Sequence, residues 1–577
     1  MSTDSGHLPF DAVIEPADTE VTHTSDDGVH VLRVRTRPGT DVKIAWDVPM
    51  GAAVTYWTSD SGRRRHFPAD WSGPSTASIV ADCPAGVLID ATGTNVHAWA
   101  CSRVVEPVTM GGGVSEERGC YHVWLSYSAD DATTELRLDS RPIGYERCLA
   151  DIAGWWDSAA APGDPSQLPR ELPSAAVQPL YSTWYSYHQR LEAAELEAEL
   201  ALAAEMGMAS VIVDDGWQTA DAGRGYRYTG DWLPEPSRFP DLAAHVRNVH
   251  ALGLAEMFWI ALPFVGEGSD SFHQYADWLI PGTHAALWDV RLPQARDHVA
   301  GICARLVADY GLDGLKIDFI DSWSRIDAGP APAGADTESM ALGVQRLLAR
   351  IVERIRVHVP NPMIEFRQHY VGPAMLRYGN MFRAGDCPMD GLANRVSTVD
   401  LRHLCGHRAV HADMVMWGPD ASPEVAAEQL LCTLFSVPQI SVRLAELSSA
   451  HRQMLQAYLD FWRAHAEVVL HGDLAAPRPD LNYPTVAATR SGRTVAAVYD
   501  QASVLPVVGG RTVVANATGQ AEVLVDLVRP ARLTELVDCR GRDASRPGAP
   551  VSAGKQLPTG LARLPVPRGG RAVLELA

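Results

Sequence analysis

The stretch GLKIDFI, residues 314–320, sets Lys316 and Asp318 two apart in an otherwise apolar run. Charges are rarely buried unless they are paired or used. On a strand, residues two apart point the same way, so these two share a face, and Ile317 and Phe319 take the opposite, helix-packing face. A lysine beside an aspartate favours the ionised carboxyl, and an ionised aspartate in a partly dry cleft is a competent nucleophile. The other use of such a pair is a salt bridge that closes the sheet. A second stretch, VIVDDGWQ (211–218), ends a strand in Asp214 and Asp215, followed by Gly216 and Trp217. Paired carboxylates accept hydrogen bonds from hydroxyls, and an aromatic face covers the C–H side of a sugar ring. An Asp- and Gly-rich turn is the plainer reading. A third stretch, MFRAGDCPMD (381–390), carries Asp386 ahead of a Cys387-Pro388 step that stiffens the loop. Two carboxylates flanking one bond, one attacking and one protonated to help the leaving oxygen, are what glycoside hydrolysis needs. Asp318 and Asp386 form one such pair; a cap on a helix or turn is the other use of Asp386, and the loop-borne Asp390 is the rival acid.

Such residues need a scaffold that gathers strand ends. From about 174 to 468, strand-like runs at 179–184, 210–215, 256–262, 314–320, 363–368, 381–386, 412–417 and 439–444 alternate with helical ones. EAAELEAELALAAEMG and SMALGVQRLLARIVERIRVH, for example, carry apolar residues at helical spacing. Eight strands alternating with helices predict an α/β fold, a (β/α)8 barrel. A doubly wound sheet should show a Gly-rich phosphate turn after an early strand, and the sequence has none. Barrels act at the C-terminal ends of their strands. Reading those ends gives Trp184, Asp214, Asp215, Lys316, Asp318, Arg367, Gln368, Asp386 and Trp417. Residues 1 to about 170 hold short alternating runs such as VHVLRVRT and GCYHVWLSYS, the pattern of an antiparallel β-sandwich. The Pro-rich segment 161–173 reads as a linker, and 470–577 as a small all-β domain.

With 577 residues the chain is too long for one core. A net charge of −21 repels phosphate backbones, which argues against nucleic acid as a partner and leaves a neutral sugar compatible. The only lysines are Lys43, Lys316 and Lys555, so a lysine inside an apolar strand points to a need for a compact ammonium. The first residues lack a basic and an apolar signal region, and no run of eighteen apolar residues occurs. Nine scattered cysteines without a CxxC pair suggest neither a disulfide framework nor structural zinc. The expectation is a reduced, cytoplasmic protein with no membrane partner; a homo-oligomer is compatible. His403, His407 and His411 recur every four residues, with Asp413 two further on, but Gly406 interrupts them, and metal ligation would need one open helix face. They are expected to be surface and supporting histidines, and Trp155, Trp156, Trp259 and Trp288 to be core.

Taken together, STWYSYH (182–188), VIVDDGWQ, TGDWLPEPSRFPDL (229–242), GLKIDFID and RAGDCP resemble, in order, glycoside hydrolase family 36, the bacterial α-galactosidase group. The resemblance covers roughly 175 to 465, and the sandwich–barrel–β order fits it. It implies a retaining, exo-acting α-glycosidase in which Asp318 is the nucleophile and Asp386 the general acid/base. Asp214 and Asp215 would then hold remote sugar hydroxyls, Lys316 would donate to a ring hydroxyl, and Trp232 would wall the sugar subsite. No metal or organic cofactor is implied, and the substrate is a small sugar or oligosaccharide. One strand departs from the group: where small Cys- and Gly-rich residues are expected, IEFRQHYVGP (364–373) offers Glu365, Arg367, Gln368 and His369. This strand lies near the sugar 2-position in the family, so another substituent or another sugar is compatible. Arg367 could bind an anionic group or pair with Glu365. Transglycosylation uses the same intermediate. A silent carbohydrate-binding protein and a metal-dependent lyase or isomerase using Asp214, Asp215, Asp318 and Asp386 are the readings from other classes; Lys316 opposes the second.

Overall fold

The computed structural model describes residues 8–59, 65–158, 164–545 and 553–576. At its centre eight parallel strands form a nearly closed barrel. They are β1 (Leu180–Ser182), β2 (Ser210–Val213), β3 (Ala255–Ala261), β4 (Gly314–Asp318), β5 (Met363–Arg367), β6 (Met381–Arg383), β7 (Ala409–His411) and β8 (Gln439–Ile440). β1 to β6 each pair with the next strand in the chain, and β8 pairs with β1 through Leu180 and Gln439. Isolated bridges from His411 to Val437 and from Val415 to Ile440 bring the remaining edges together. Helices α1 (Ala193–Glu205), α2 (Leu242–Ala251), α3 (Pro293–Tyr310), α4 (Met340–Arg356), α5 (Gly391–Leu404), α6 (Pro423–Cys432) and α7 (Ser449–His471) follow every strand but β5, which reaches β6 through a single 3-10 turn at Met375–Arg377. A parallel sheet buried on both faces needs near-continuous apolar strands, and Val211–Val213 and Met257–Ile260 supply them.

Local chemistry sets the strand that carries Asp318. Helix α3 opens on Pro293, whose missing N–H costs nothing in a first turn, and stops at Gly311, which takes a left-handed φ of 79°. Gly314 then begins β4 where a Cβ would lie 1.8 Å from the Met363 carbonyl oxygen, so only glycine lets β4 and β5 pair there. Helix α4 seals the outside with Val344, Leu347, Leu348, Ile351, Val352 and Ile355. Ser339 caps it by accepting from Leu342 N at 3.1 Å, a cap worth about 1 kcal/mol.

Several boundaries differ from the sequence expectation: β2 ends at Val213 and not at 215, β6 at Arg383 and not at 386, and β8 at Ile440 and not at 444, so Asp214, Asp215 and Asp386 lie just beyond their strands. β1 ends at Ser182, and Trp184 opens a short helix instead of closing a strand. β4 ends at Asp318 because Phe319 turns left-handed, with φ 63°; its ring then faces Tyr226 and Phe264 at the mouth rather than the helices. β7 runs over 409–411, not 412–417, because Asp413 leaves the ladder to bind Arg383.

Two antiparallel sheets of five and six strands lie N-terminal to the barrel, between Val13 and Asp139, and close over Leu32, Ile44, Trp46, Trp99, Val123 and Leu136. C-terminal sheets of seven and three strands span Asp473 to Leu576 and include two parallel pairs. A buried carboxyl ties the three regions together. Trp57 Nε1 donates to Asp400 Oδ1 at 2.9 Å, and Arg65 and Tyr483 bond the same group. No helix among the described residues is long and apolar enough to cross a membrane.

Candidate active site

The C-terminal ends of β2, β4, β5 and β6 converge on one cluster of charges. Asp318, 6% exposed, is its centre. Its Oδ1 accepts from Arg367 Nε at 2.6 Å, from the Tyr370 hydroxyl at 3.0 Å and from Phe319 N at 2.8 Å. Its Oδ2 accepts from Trp259 Nε1 at 3.0 Å. Burial alone would push this carboxyl up; Arg367, Lys316 and Arg383 outweigh it and hold Asp318 well below the usual carboxylate range. Asp318 is therefore an anion with one oxygen saturated and the other carrying a single donor. Burial, and then Asp318 itself, push the Tyr370 phenol well above its ordinary value, so it stays a proton donor.

Lys316 does not bond Asp318. Its Nζ crosses to Asp214 Oδ2 at 2.5 Å, while the Asp215 backbone N–H fixes Oδ1 at 2.9 Å. Asp215 is held by two amides, Gln189 Nε2 at 2.6 Å and Gln218 Nε2 at 2.7 Å. Gly216 makes this possible: at φ 115° its missing Cβ would sit 2.5 Å from the Gln189 Cα. Burial, then the neighbouring Asp214, push Asp215 up to about 6, against the pull of the two amides.

Asp386 stands at the rim, its side chain 56% exposed, and accepts from Arg383 Nη2 at 2.9 Å. The fully buried Arg383 also meets Asp413 closely and Glu365 at 3.6 Å. Burial raises the Asp386 carboxyl and Asp318 raises it further, but Arg383, Arg367 and Lys316 prevail, and it lies below the ordinary value. Gln368 Oε1 accepts from Gly385 N at 3.1 Å and steadies that loop. Asp390 instead caps α5, accepting from Ala393 N at 2.9 Å.

Arg367 does not pair with Glu365. It takes Asp318, with Asp321 at 3.9 Å, and lies over the Phe319 and Tyr370 rings. Glu365 sits one layer deeper on the same strand face, bonded to Gln439; burial pushes it up to about 7 against the pull of Arg383 and Lys316. Trp217 is fully buried, its indole N–H on the Trp259 carbonyl at 2.9 Å, and Trp232, 2% exposed, stacks on it. These two back the site from behind rather than offering an open face. Trp184 is half-buried beside His188, under Arg224. His403 packs against Trp57 and Tyr145, while His411 bonds the Ala176 carbonyl at 2.8 Å, so the histidine run is divided between two environments. Asp214 and Asp318 already hold a lysine and an arginine, which is poor company for a divalent cation.

Sequence reasoning missed several members. Trp259, read as core, is buried and also reaches Asp318. Tyr370 lay unassigned in the IEFRQHYVGP stretch, and Arg383 in MFRAGD. Tyr226, half-buried, feels Asp318, Asp215 and Asp386; burial first, then those charges, push its phenol up to about 12. The sandwich also reaches the mouth: Asp82 N donates to the His369 carbonyl at 2.9 Å, one residue from Tyr370.

This arrangement can stabilise a developing cation with one anion, deliver or remove a proton at a second carboxyl, and hold several hydroxyls. Residues 175–365 match the Melibiase family model. Over 177 residues the chain is 23% identical to "Alpha-galactosidase 2" of Pediococcus pentosaceus, covering 29% of this chain and 24% of that one. Over 189 residues it is 29% identical to "Probable alpha-galactosidase C" of Aspergillus terreus, covering 28% of this chain and 23% of that one. The aligned part is thus about a quarter of the length of these curated relatives. In three dimensions it superposes on the family 36 α-galactosidase AgaA of Geobacillus stearothermophilus, solved as a variant with raffinose, with a TM-score of 0.64, 15% identity, and 96% of this chain and 81% of the other covered.

Proposed function

From a barrel that carries a Melibiase domain, in a chain folded as the family 36 α-galactosidases are, we propose a retaining, exo-acting α-glycosidase that removes a terminal α-galactosyl-type sugar. The observation that carries this reading is the state of Asp318: a buried anion with Oδ1 held by three donors and Oδ2 holding one. Oδ2 then attacks the anomeric carbon as the glycosidic C–O bond breaks. Asp386 gives its proton to the leaving oxygen. A glycosyl ester on Asp318 results. Asp386, now a carboxylate, takes a proton from the incoming water, which displaces Asp318, and two inversions retain configuration. Arg367 and Tyr370 steady Asp318 as it departs. The buried Asp214, Asp215 and Lys316 hold the hydroxyls remote from the reacting carbon. The small sugar or oligosaccharide is the only partner this chemistry asks for.

A panel of aryl α-glycosides tests it: galactoside, N-acetylgalactosaminide, glucoside and an acidic sugar. Galactoside turnover that falls at least ~10³-fold in Asp318→Asn, with the fold intact, is the expected result. Near-normal activity in that variant overturns the assignment. A second reading keeps the mechanism and changes the sugar. It is favoured by Arg367 and Tyr370, which crowd the nucleophile from β5 and the loop that follows it. Turnover restricted to another glycoside in the panel would select it.

A further inference from the structure

The N-terminal sandwich holds a cavity of about 420 Å³. Tyr56, Phe67 and Trp99 wall it, and the backbone of Gly111 and Gly112 lies along it. The glycines have a packing reason. A Cβ at Gly111 would come within 2.6 Å of the Trp124 ring, and one at Gly113 within 2.3 Å of the Ala69 backbone. Their absence lets the loop 66–75 lie down on strand Val108–Ser115, where Val114 N donates to Pro68 O at 2.8 Å and Asp70 N to Val114 O at 3.2 Å. The cavity is therefore bounded by tightly docked backbone and not by a loosely packed loop.

His66, Ser72 and Ser75 supply polar groups at the rim of the cavity, and no carboxylate, lysine or arginine lines it among the described residues. At Gly112, where a Cβ would stand 3.4 Å away, the buried Tyr121 hydroxyl has no hydrogen-bond partner among the described residues. Trp71, between the lining residues Ala69 and Ser72, is 71% exposed. Aromatic faces for ring C–H groups and neutral donors for hydroxyls are what a sugar requires. Strand Ser75–Ala77 at this rim runs on to Asp82, the residue that bonds the His369 carbonyl beside the barrel mouth.

We propose that this cavity, together with the exposed Trp71 of the loop 66–75 that borders it, is a second carbohydrate-binding site that takes one neutral hexose unit of an oligo- or polysaccharide. The binding does not depend on the hydrolase reading, although it would serve such an enzyme by holding a long substrate. The test is affinity electrophoresis of the full chain through galactomannan, with Asp318→Asn in every sample so that the polymer stays intact. The parent is expected to be retarded. Trp71→Ala, at an exposed position, and Ser75→Tyr, which fills the rim, are each expected to weaken retention about tenfold. Neither should change kcat or KM for an aryl α-glycoside in the otherwise unaltered chain. Equal retardation of parent and variants, or none for the parent, overturns the proposal. So does a Trp71→Ala chain that keeps its retention but changes its oligomeric mass in light scattering, which would make Trp71 a subunit contact. Failure of the aryl glycoside panel would sink the hydrolase reading and leave this result untouched.

Discussion

At the scale of single residues, the two acids sit in an unusual order. In the proposed reaction Asp318 is ionised to attack and Asp386 protonated to assist, yet cations hold both below the ordinary carboxylate range. The productive form of the free protein therefore fades as pH rises through the acidic range, where Asp386 loses its proton. The expected outcome is a kcat/KM for raffinose that declines from acidic pH toward neutrality, and a flatter profile for an aryl glycoside whose leaving group needs no proton. In the same sense, Asp386→Asn should cost raffinose turnover at least ~10²-fold more than turnover of an activated aryl glycoside. Identical pH profiles and identical losses would remove Asp386 from the acid role. Asp215 has the opposite displacement. Its folded value of about 6 lies above the unfolded one, so between about 4 and 6 the folded state binds the extra proton and stability falls as pH rises. At neutral pH the cost is roughly 3 kcal/mol. Asp215→Asn is expected to gain thermal stability on the parent as pH climbs from 4 to 7, while KM rises because a hydroxyl acceptor is lost. Melting curves that stay parallel across that range would show that Asp215 carries no such strain.

At the scale of elements, β5 and the loop after it surround Asp318 from one side. Alternation on β5 puts Glu365 in a deep layer with Gln439 and Arg383, and Arg367 above it on Asp318. The loop then returns Tyr370 to the same carboxylate. Tyr370→Phe removes one donor and keeps the ring, so the fold should hold and kcat should fall about tenfold, in line with one hydrogen bond to a charged group. Arg367→Gln removes the main positive partner of Asp318. It should lift the acid limb of the pH profile toward higher pH and lower kcat by about 10²-fold. An unmoved acid limb would mean that Lys316 and Arg383 suffice to keep Asp318 ionised.

At the scale of the whole molecule, Asp400 joins the sandwich, the barrel and the C-terminal sheets through Trp57, Arg65 and Tyr483. Removing one partner of a buried ion pair costs about 3–5 kcal/mol. Asp400→Ala should therefore lower the first thermal transition by several degrees, whereas a surface control such as Asp18→Ala should leave it in place. The sandwich also sets Asp82 on the His369 carbonyl, so an Asp400 variant that loosens the sandwich is expected to lose some kcat through a looser Tyr370 loop. A chain that melts earlier with kcat unchanged would separate the sandwich from the site.

Local pattern was enough for much of this. Alternating strand and helix runs, eight of them, specify a barrel, because parallel strands covered on both faces must be apolar and must be spaced by helices. The barrel in turn makes strand ends the place for polar groups, which is how Lys316, Asp318, Asp214, Asp215 and Asp386 could be named from the chain. Partners were not legible. Lys316 is two residues from Asp318 yet bonds Asp214, and Arg367 is two residues from Glu365 yet bonds Asp318. Trp217 and Trp232 look like a sugar wall in one dimension and are sealed behind Trp259 in three. Chain order alone set Asp214 and Asp215 after β2, Lys316 and Asp318 on β4, and Asp386 after β6. Barrel curvature and the left-handed turn at Phe319 decided which charges meet, because those contacts join residues from different strands whose separation no local periodicity encodes.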